Sequence, residues 1–211
     1  MRREEQRVGG GHAPGVGRRG TSEFPQGWSN RQIISVITDV ANVPGEPRRR
    51  QHNGRWRCAG ERYGVYVVVL ADDDGQVRTA YPAGGPGVLR NPDTPEDPAN
   101  PTLADLTHSR ITYYADSVLS QLADRIAPPD LAHYRSLLWA GEWEELIDVL
   151  AAHAVTVDLR LSTDEFADLE RLLNSYEIPL PGFSFLNDRN KILERLRPNS
   201  PGTVRTTPAV R

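Results

Sequence analysis

Hydrophobic positions change their spacing along the chain, and the changes outline the elements. Ile33, Ile34, Ile37, Val40 and Ala41 recur as one helix face behind the capping-box sequence Ser29-Asn30-Arg31-Gln32, and the stripe stops before Pro44. A polar loop is expected over residues 46–54, with Arg48, Arg49 and Arg50. Residues 55–59, 65–70 and 77–81 are then short β-branched or aromatic runs, separated by Ala59-Gly60-Glu61 and Asp72-Asp73-Asp74-Gly75. This order predicts an antiparallel meander packed on the preceding helix, with 65–70 as central strand. Beyond residue 110 the period becomes 3.6. Ile111, Tyr114, Ala115, Val118, Leu119, Leu122 and Ile126 mark a helix ended by Pro128-Pro129. Leu131, Tyr134, Leu137 and Leu138 mark a second, stopped by Gly141, and Trp143, Leu146, Ile147 and Leu150 a third. A capping box at Ser162-Thr163-Asp164-Glu165 opens a fourth with Phe166, Leu169, Leu172, Leu173 and Tyr176 inward, and a short helical piece is expected over 188–196.

Proline and glycine sharpen the division, because they cluster in residues 9–27, 82–101 and 179–202. The expected organisation is an α+β domain over 1–92, a Pro-rich linker over 93–107, an all-α bundle of four or five helices over 108–197, and a disordered tail over 198–211. Charge divides the same way: residues 1–93 carry +4 and residues 94–211 carry −7. A basic half suits a polyanion, and an acidic half suits a mimic or mask of one, although an ordinary dipolar surface has the same signature. Cys58 is the lone cysteine, so no disulfide or multi-thiolate metal site forms within one chain. No run of 18 apolar residues occurs and the opening residues lack the apolar core of a signal peptide, so neither membrane attachment nor an export signal is expected. A cytoplasm is the expected place of action, whether the chain is made there or delivered into a target cell.

Several chemistries are absent from the pattern. Gly15-Val16-Gly17-Arg18-Arg19-Gly20 spells the dinucleotide motif, but no strand precedes it and no helix begins at its last glycine. The five histidines stand apart, without paired metal-ligand spacing, and no G-x-S-x-G elbow exists. Neither a cofactor nor a metal is expected. What remains is an ordered set: Gly9-Gly10-Gly11-His12 with Pro14-Gly15, Phe24-Pro25, Trp28-Ser29, the helix, the strand at 64–70, and Thr79-Ala80-Tyr81-Pro82. In order and spacing this set resembles the bacterial EndoU nuclease family over about residues 8–92. The resemblance implies a metal-independent RNA endonuclease, tRNA being one candidate substrate, with the barnase/EndoU/colicin/RelE type of fold.

The residue types suit that chemistry. An imidazole beside an RNA 2′-hydroxyl can take its proton and drive internal attack on the adjacent phosphorus, leaving a 2′,3′-cyclic phosphate and a 5′-hydroxyl. The resemblance makes His12 the catalytic histidine and Thr79 and Tyr81 positioning groups, on one face of a strand by their alternate spacing. Arg18, Arg19 and Arg78 are the candidate phosphate-binding residues, and amides of the glycine-rich loop could approach the same phosphate. Plainer readings stand beside these: a surface histidine, strand residues with satisfied hydroxyls, solvated arginines, and Phe24 and Trp28 as core anchors rather than stacking platforms. The sequence also departs from the family pattern. No histidine precedes His12 to supply an earlier H-I or H-V segment, and the only lysine is Lys191; His52 is a candidate replacement acid or base.

In the second half, Leu137-Leu138-Trp139-Ala140-Gly141-Glu142-Trp143 and Leu161-Ser162-Thr163-Asp164-Glu165 resemble MafI-type immunity proteins, which accompany EndoU-type toxins. That resemblance implies an intramolecular or cognate inhibitor, and the alternative is an unrelated helical extension. The rival for the whole chain is an inactive EndoU-fold protein that binds a related toxin or RNA without cutting.

Overall fold

The computed structural model describes residues 11–94 and 103–198. Gly9 and Gly10 of the glycine run, residues 95–102 of the expected linker and 199–211 of the expected tail lie outside the described residues. The chain is α+β. Its first part runs β1 (Ser22–Glu23), α1 (Asn30–Asn42), β2 (Arg49–Arg50), β3 (Trp56–Arg62), β4 (Val65–Ala71), β5 (Val77–Gly84) and β6 (Leu89–Arg90). Helices follow: α2 (Leu103–Gln121), a 3₁₀ turn (Ala123–Arg125), α3 (Pro128–Ala140), α4 (Trp143–Thr156), α5 (Thr163–Leu173), α6 (Ser184–Asn187) and α7 (Arg189–Leu196). Among the described residues the helical part therefore holds six helices, more than the four or five expected, and none is long and apolar enough to cross a membrane.

Helix α1 starts where its cap predicts, with the Ser29 hydroxyl accepting from the Gln32 amide at 3.2 Å. It buries Ile33, Val36 and Val40, whereas Ile34, counted in the apolar stripe, is exposed. The sheet order is β2-β3-β4-β5, antiparallel throughout, and β1 pairs with β6 in a separate two-stranded sheet. Three expectations fail locally. Gly60 and Glu61 do not break a strand, since β3 continues to Arg62 and turns at Tyr63-Gly64, where both residues take the left-handed φ that a tight hairpin requires. Arg49 and Arg50, expected in a loop, form β2 against Trp56 and Arg57. Pro82, at the start of the Pro- and Gly-rich stretch and past the strand expected to end at residue 81, lies inside β5, tolerated because β5 is an edge strand.

Strand β4 reads as an unbroken apolar run because both faces are covered. Val65, Val67 and Val69 pack with Phe24, Cys58 and the α1 stripe. Val68 and Leu70, with Ala59 and Tyr81, belong instead to one continuous core with α2 to α5 and α7. The sheet's second face is thus buried by the helical part. That part keeps its expected punctuation in places: Ser162 and Glu165 form a complete capping box on α5, and Gly141 caps α3 in the left-handed conformation. Pro128-Pro129 does not end a helix. Helix α2 stops at Gln121, and the prolines fill the first turn of α3, where a missing N–H costs nothing. Helix α2 also begins inside the stretch read as linker, at Leu103.

Candidate active site

His12 lies over β1. Its backbone carbonyl accepts from the Phe24 amide at 2.9 Å, and its Nδ1 lies 2.6 Å from the Ser22 carbonyl oxygen. A carbonyl only accepts, so Nδ1 carries a proton and Nε2 is the nitrogen left for chemistry, where a hydrogen bond to a carboxylate needs a second ring proton. Nε2 faces Glu142 of the helical part, whose Oε1 lies 2.5 Å away. His12 as a whole is only 4% exposed. Glu142 reaches it through a close crossing of two backbones. Gly141, at φ 79°, passes so near the residues just before β1 that a Cβ there would lie 2.7 Å from the Gly20 carbonyl oxygen. Gly20 in turn leaves no room for a Cβ beside His108 and Trp143.

The glycine-rich loop after His12 is held by an internal carboxylate. Glu23, itself buried, accepts from the amides of Gly15 at 2.8 Å and Gly17 at 2.5 Å and from Asn91 Nδ2 at 2.8 Å. Burial pushes the Glu23 carboxyl up, but the hydrogen bonds outweigh it and hold it below the usual carboxylate range. Two amides expected to meet a phosphate are thus occupied by Glu23.

Tyr81 is on the same sheet face as Thr79, opposite Val68 and Leu70 of β4 respectively. The Tyr81 ring is fully buried, 6.0 Å from the His12 ring centroid, and its hydroxyl lies 3.2 Å from Ser136 Oγ of α3. Burial raises the phenol well above its ordinary range. Thr79 is half-buried. His12 and Tyr81 are therefore brought together, and both are sealed by the helical part.

The arginines divide. Arg18 is exposed and stacks over Trp143, 5.7 Å from the ring centroid. Arg19 donates to the Asp93 carbonyl at 2.6 Å and to Ser109 Oγ at 2.7 Å. Arg78 reaches Asp72 at 3.6 Å and the Pro181 carbonyl at 3.2 Å, in the group that surrounds Arg55 rather than beside His12. Phe24 is a buried core residue stacked on Trp28, the anchoring role. His52 faces Asp130 and His153 and is not a partner of His12.

Sequence reasoning missed a second polar contact between the parts. Arg55 is buried against the Glu145 carboxylate and the Gly182 carbonyl, with Asp72 at 3.3 Å. Asn53 donates to Glu145 at 2.9 Å and Asp148 at 3.2 Å. Elsewhere, His133 Nε2 lies 2.8 Å from Gln51 Oε1. No local signal announces Arg55, because its partners come from α4 and the segment before α6. The charge asymmetry was the available hint: the contacts set His12 and Arg55 against Glu142 and Glu145.

No curated protein and no solved structure matches the chain. Residues 3–84 match the model of the family described as Bacterial EndoU nuclease, which supports an EndoU nuclease domain, acting on nucleic acid, in the part of the chain that carries His12 and Tyr81.

Proposed function

We propose that residues 1–92 are a toxin-type, metal-independent endoribonuclease and that the acidic helical region, from the start of α2 at Leu103 onward, restrains it in cis as an immunity-type domain. The observation that carries this reading is Glu142 on His12 Nε2, at the edge of a sheet face that the helices bury. With the helices away, Nε2 accepts the proton of an RNA 2′-hydroxyl. The alkoxide attacks the neighbouring phosphorus, the P–O5′ bond breaks, and the leaving oxygen takes a proton from water to become the 5′-hydroxyl. Thr79 and Tyr81 donate to the phosphate, while Arg18 and Arg19 hold the backbone charge. The helical region works as a polyanion substitute, placing carboxylates where RNA phosphates would sit. Its A-G-E segment, Ala140-Gly141-Glu142, is the resemblance to MafI-type immunity proteins put to use. The proposed place of action is a bacterial cytoplasm, reached within a delivered toxin or occupied by the intact, restrained chain.

The test incubates tRNA in excess chelator with the whole chain and with residues 1–94, whose fold is first checked by circular dichroism. Fragments ending in 2′,3′-cyclic phosphate from the folded short form, absent from the whole chain and abolished by His12→Ala, are expected. A folded short form that binds RNA without cutting it would replace this reading with that of an inactive EndoU-fold binding protein.

A further inference from the structure

Away from His12, the two parts meet at a group of metal-ligating side chains. His52, from the loop between β2 and β3, Asp130, from the first turn of α3, and His153, from the last turn of α4, bring one ligand atom each to within 4.8 Å of one another. His52 Nε2 lies 3.8 Å from Asp130 Oδ2, and the two imidazole rings, tilted at 57° to each other, have centroids 4.2 Å apart. The Tyr134 hydroxyl lies 2.9 Å from His153 Nδ1, and with Nδ1–H donating to it the ring is oriented and Nε2 is the nitrogen open to an ion. A tetrahedral ion with bonds of about 2.0–2.1 Å holds its ligand atoms about 3.4 Å apart, so the set has to draw together by no more than about 1.4 Å. Two imidazoles and a carboxylate suit zinc and other late first-row divalent ions, whereas magnesium and calcium prefer all-oxygen sites. His52 and Asp130 also line a cavity of about 400 Å³ at the seam between the parts, which gives an ion and a fourth ligand, water, a way in.

We propose that His52, Asp130 and His153 bind a zinc-class divalent cation that clips the β2–β3 loop of the nuclease part to α3 and α4. The ion takes no part in RNA cleavage. It adds an interaction present only when the helices are docked, so metal supply sets how firmly the helical part stays closed. The assignment is independent of nuclease activity, because binding is read directly.

The experiment strips the full chain with chelator, removes the chelator, and titrates Zn²⁺ in competition with a chromophoric chelator, following thermal unfolding in parallel. Co²⁺ provides a visible spectrum of the coordination sphere. One equivalent is expected to bind and to raise the unfolding temperature. His52→Ala and Asp130→Asn, both partly exposed, are expected to weaken binding at least about tenfold and lose that rise. Tyr134→Phe is expected to weaken it by about 10–100-fold, as loss of an outer partner does at other metal sites. A parent chain that takes up no ion, or His52→Ala and Asp130→Asn variants that bind like the parent, would overturn the assignment.

Discussion

His12 Nε2 and Glu142 Oε1 lie 2.5 Å apart although 130 residues separate them in the chain. The contact occupies the one imidazole nitrogen not committed to the Ser22 carbonyl, and it is nearly dry, with side-chain exposures of 5% and 17%. A hydrogen-bonded pair of this kind weakens the docked state most when one partner is removed.

Glu142→Ala in the full chain is therefore expected to cost about 2–5 kcal/mol of unfolding free energy. It should not by itself release activity, because Tyr81 stays buried beneath the helices. Denaturant unfolding and an RNA-cleavage assay check the two parts. Full cleavage by this variant would mean that Glu142 alone, rather than the covered face, restrains the site.

Gly141 tests the close crossing. Gly141→Ala combines a left-handed φ with a Cβ 2.7 Å from the Gly20 carbonyl, and about 1–3 kcal/mol is expected from the backbone strain alone. Gly141→Asn tolerates the φ but not the contact, so it too should unfold at lower denaturant. Parent-like stability in the asparagine variant would leave backbone conformation, not proximity, as the whole cause.

Arg55 and Glu145 form the second buried pair, 4% and 2% exposed. Removing only the carboxylate, as in Glu145→Ala, leaves a buried guanidinium with Asp72 and a carbonyl, and about 3–5 kcal/mol should be lost. The double variant Arg55→Met with Glu145→Leu should recover most of it, because the desolvation cost of both charges disappears together. A double-mutant cycle in chemical denaturation measures the coupling, and strict additivity would show that the pair does not interact.

Acid should weaken the chain through His133. Burial, then the Arg57 charge, pushes its imidazole from the ordinary 6.5 down to about 3. Below about pH 6.5 the unfolded chain binds a proton that the folded chain refuses, so stability falls as pH drops toward 3. The limiting slope is about 1.4 kcal/mol per pH unit. Urea unfolding across this window should show that slope reduced in His133→Asn, and equal slopes in parent and variant would remove His133 from the account.

The legible parts of the sequence are those encoded within a few residues. The stripe and cap of α1, the apolar run of β4 and the capping box of α5 all lie where periodicity and local hydrogen bonding put them. The ordered set from Gly9-Gly10-Gly11-His12 to Thr79-Ala80-Tyr81-Pro82 named the family that residues 3–84 match. Local signals failed where neighbours outside the segment decided: β3 runs through Gly60 because Val67 pairs with it, and Pro82 stays in a strand because, among the described residues, no strand pairs on its far side.

The sequence by itself determined the periods, the caps, the order of the nuclease motifs and the opposition of a basic and an acidic half. Only the tertiary structure decided that the acidic half closes on Tyr81, that Glu142 occupies His12, that Glu23 fills the glycine loop and that His52 joins Asp130 and His153. The reason is physical. A helix or strand repeats over a few residues, so its pattern is written locally, whereas an ion pair or ligand set needs only that two distant surfaces meet. That meeting follows from burying Val68, Leu70 and Tyr81 against the helices, a non-directional force that leaves no spacing to read.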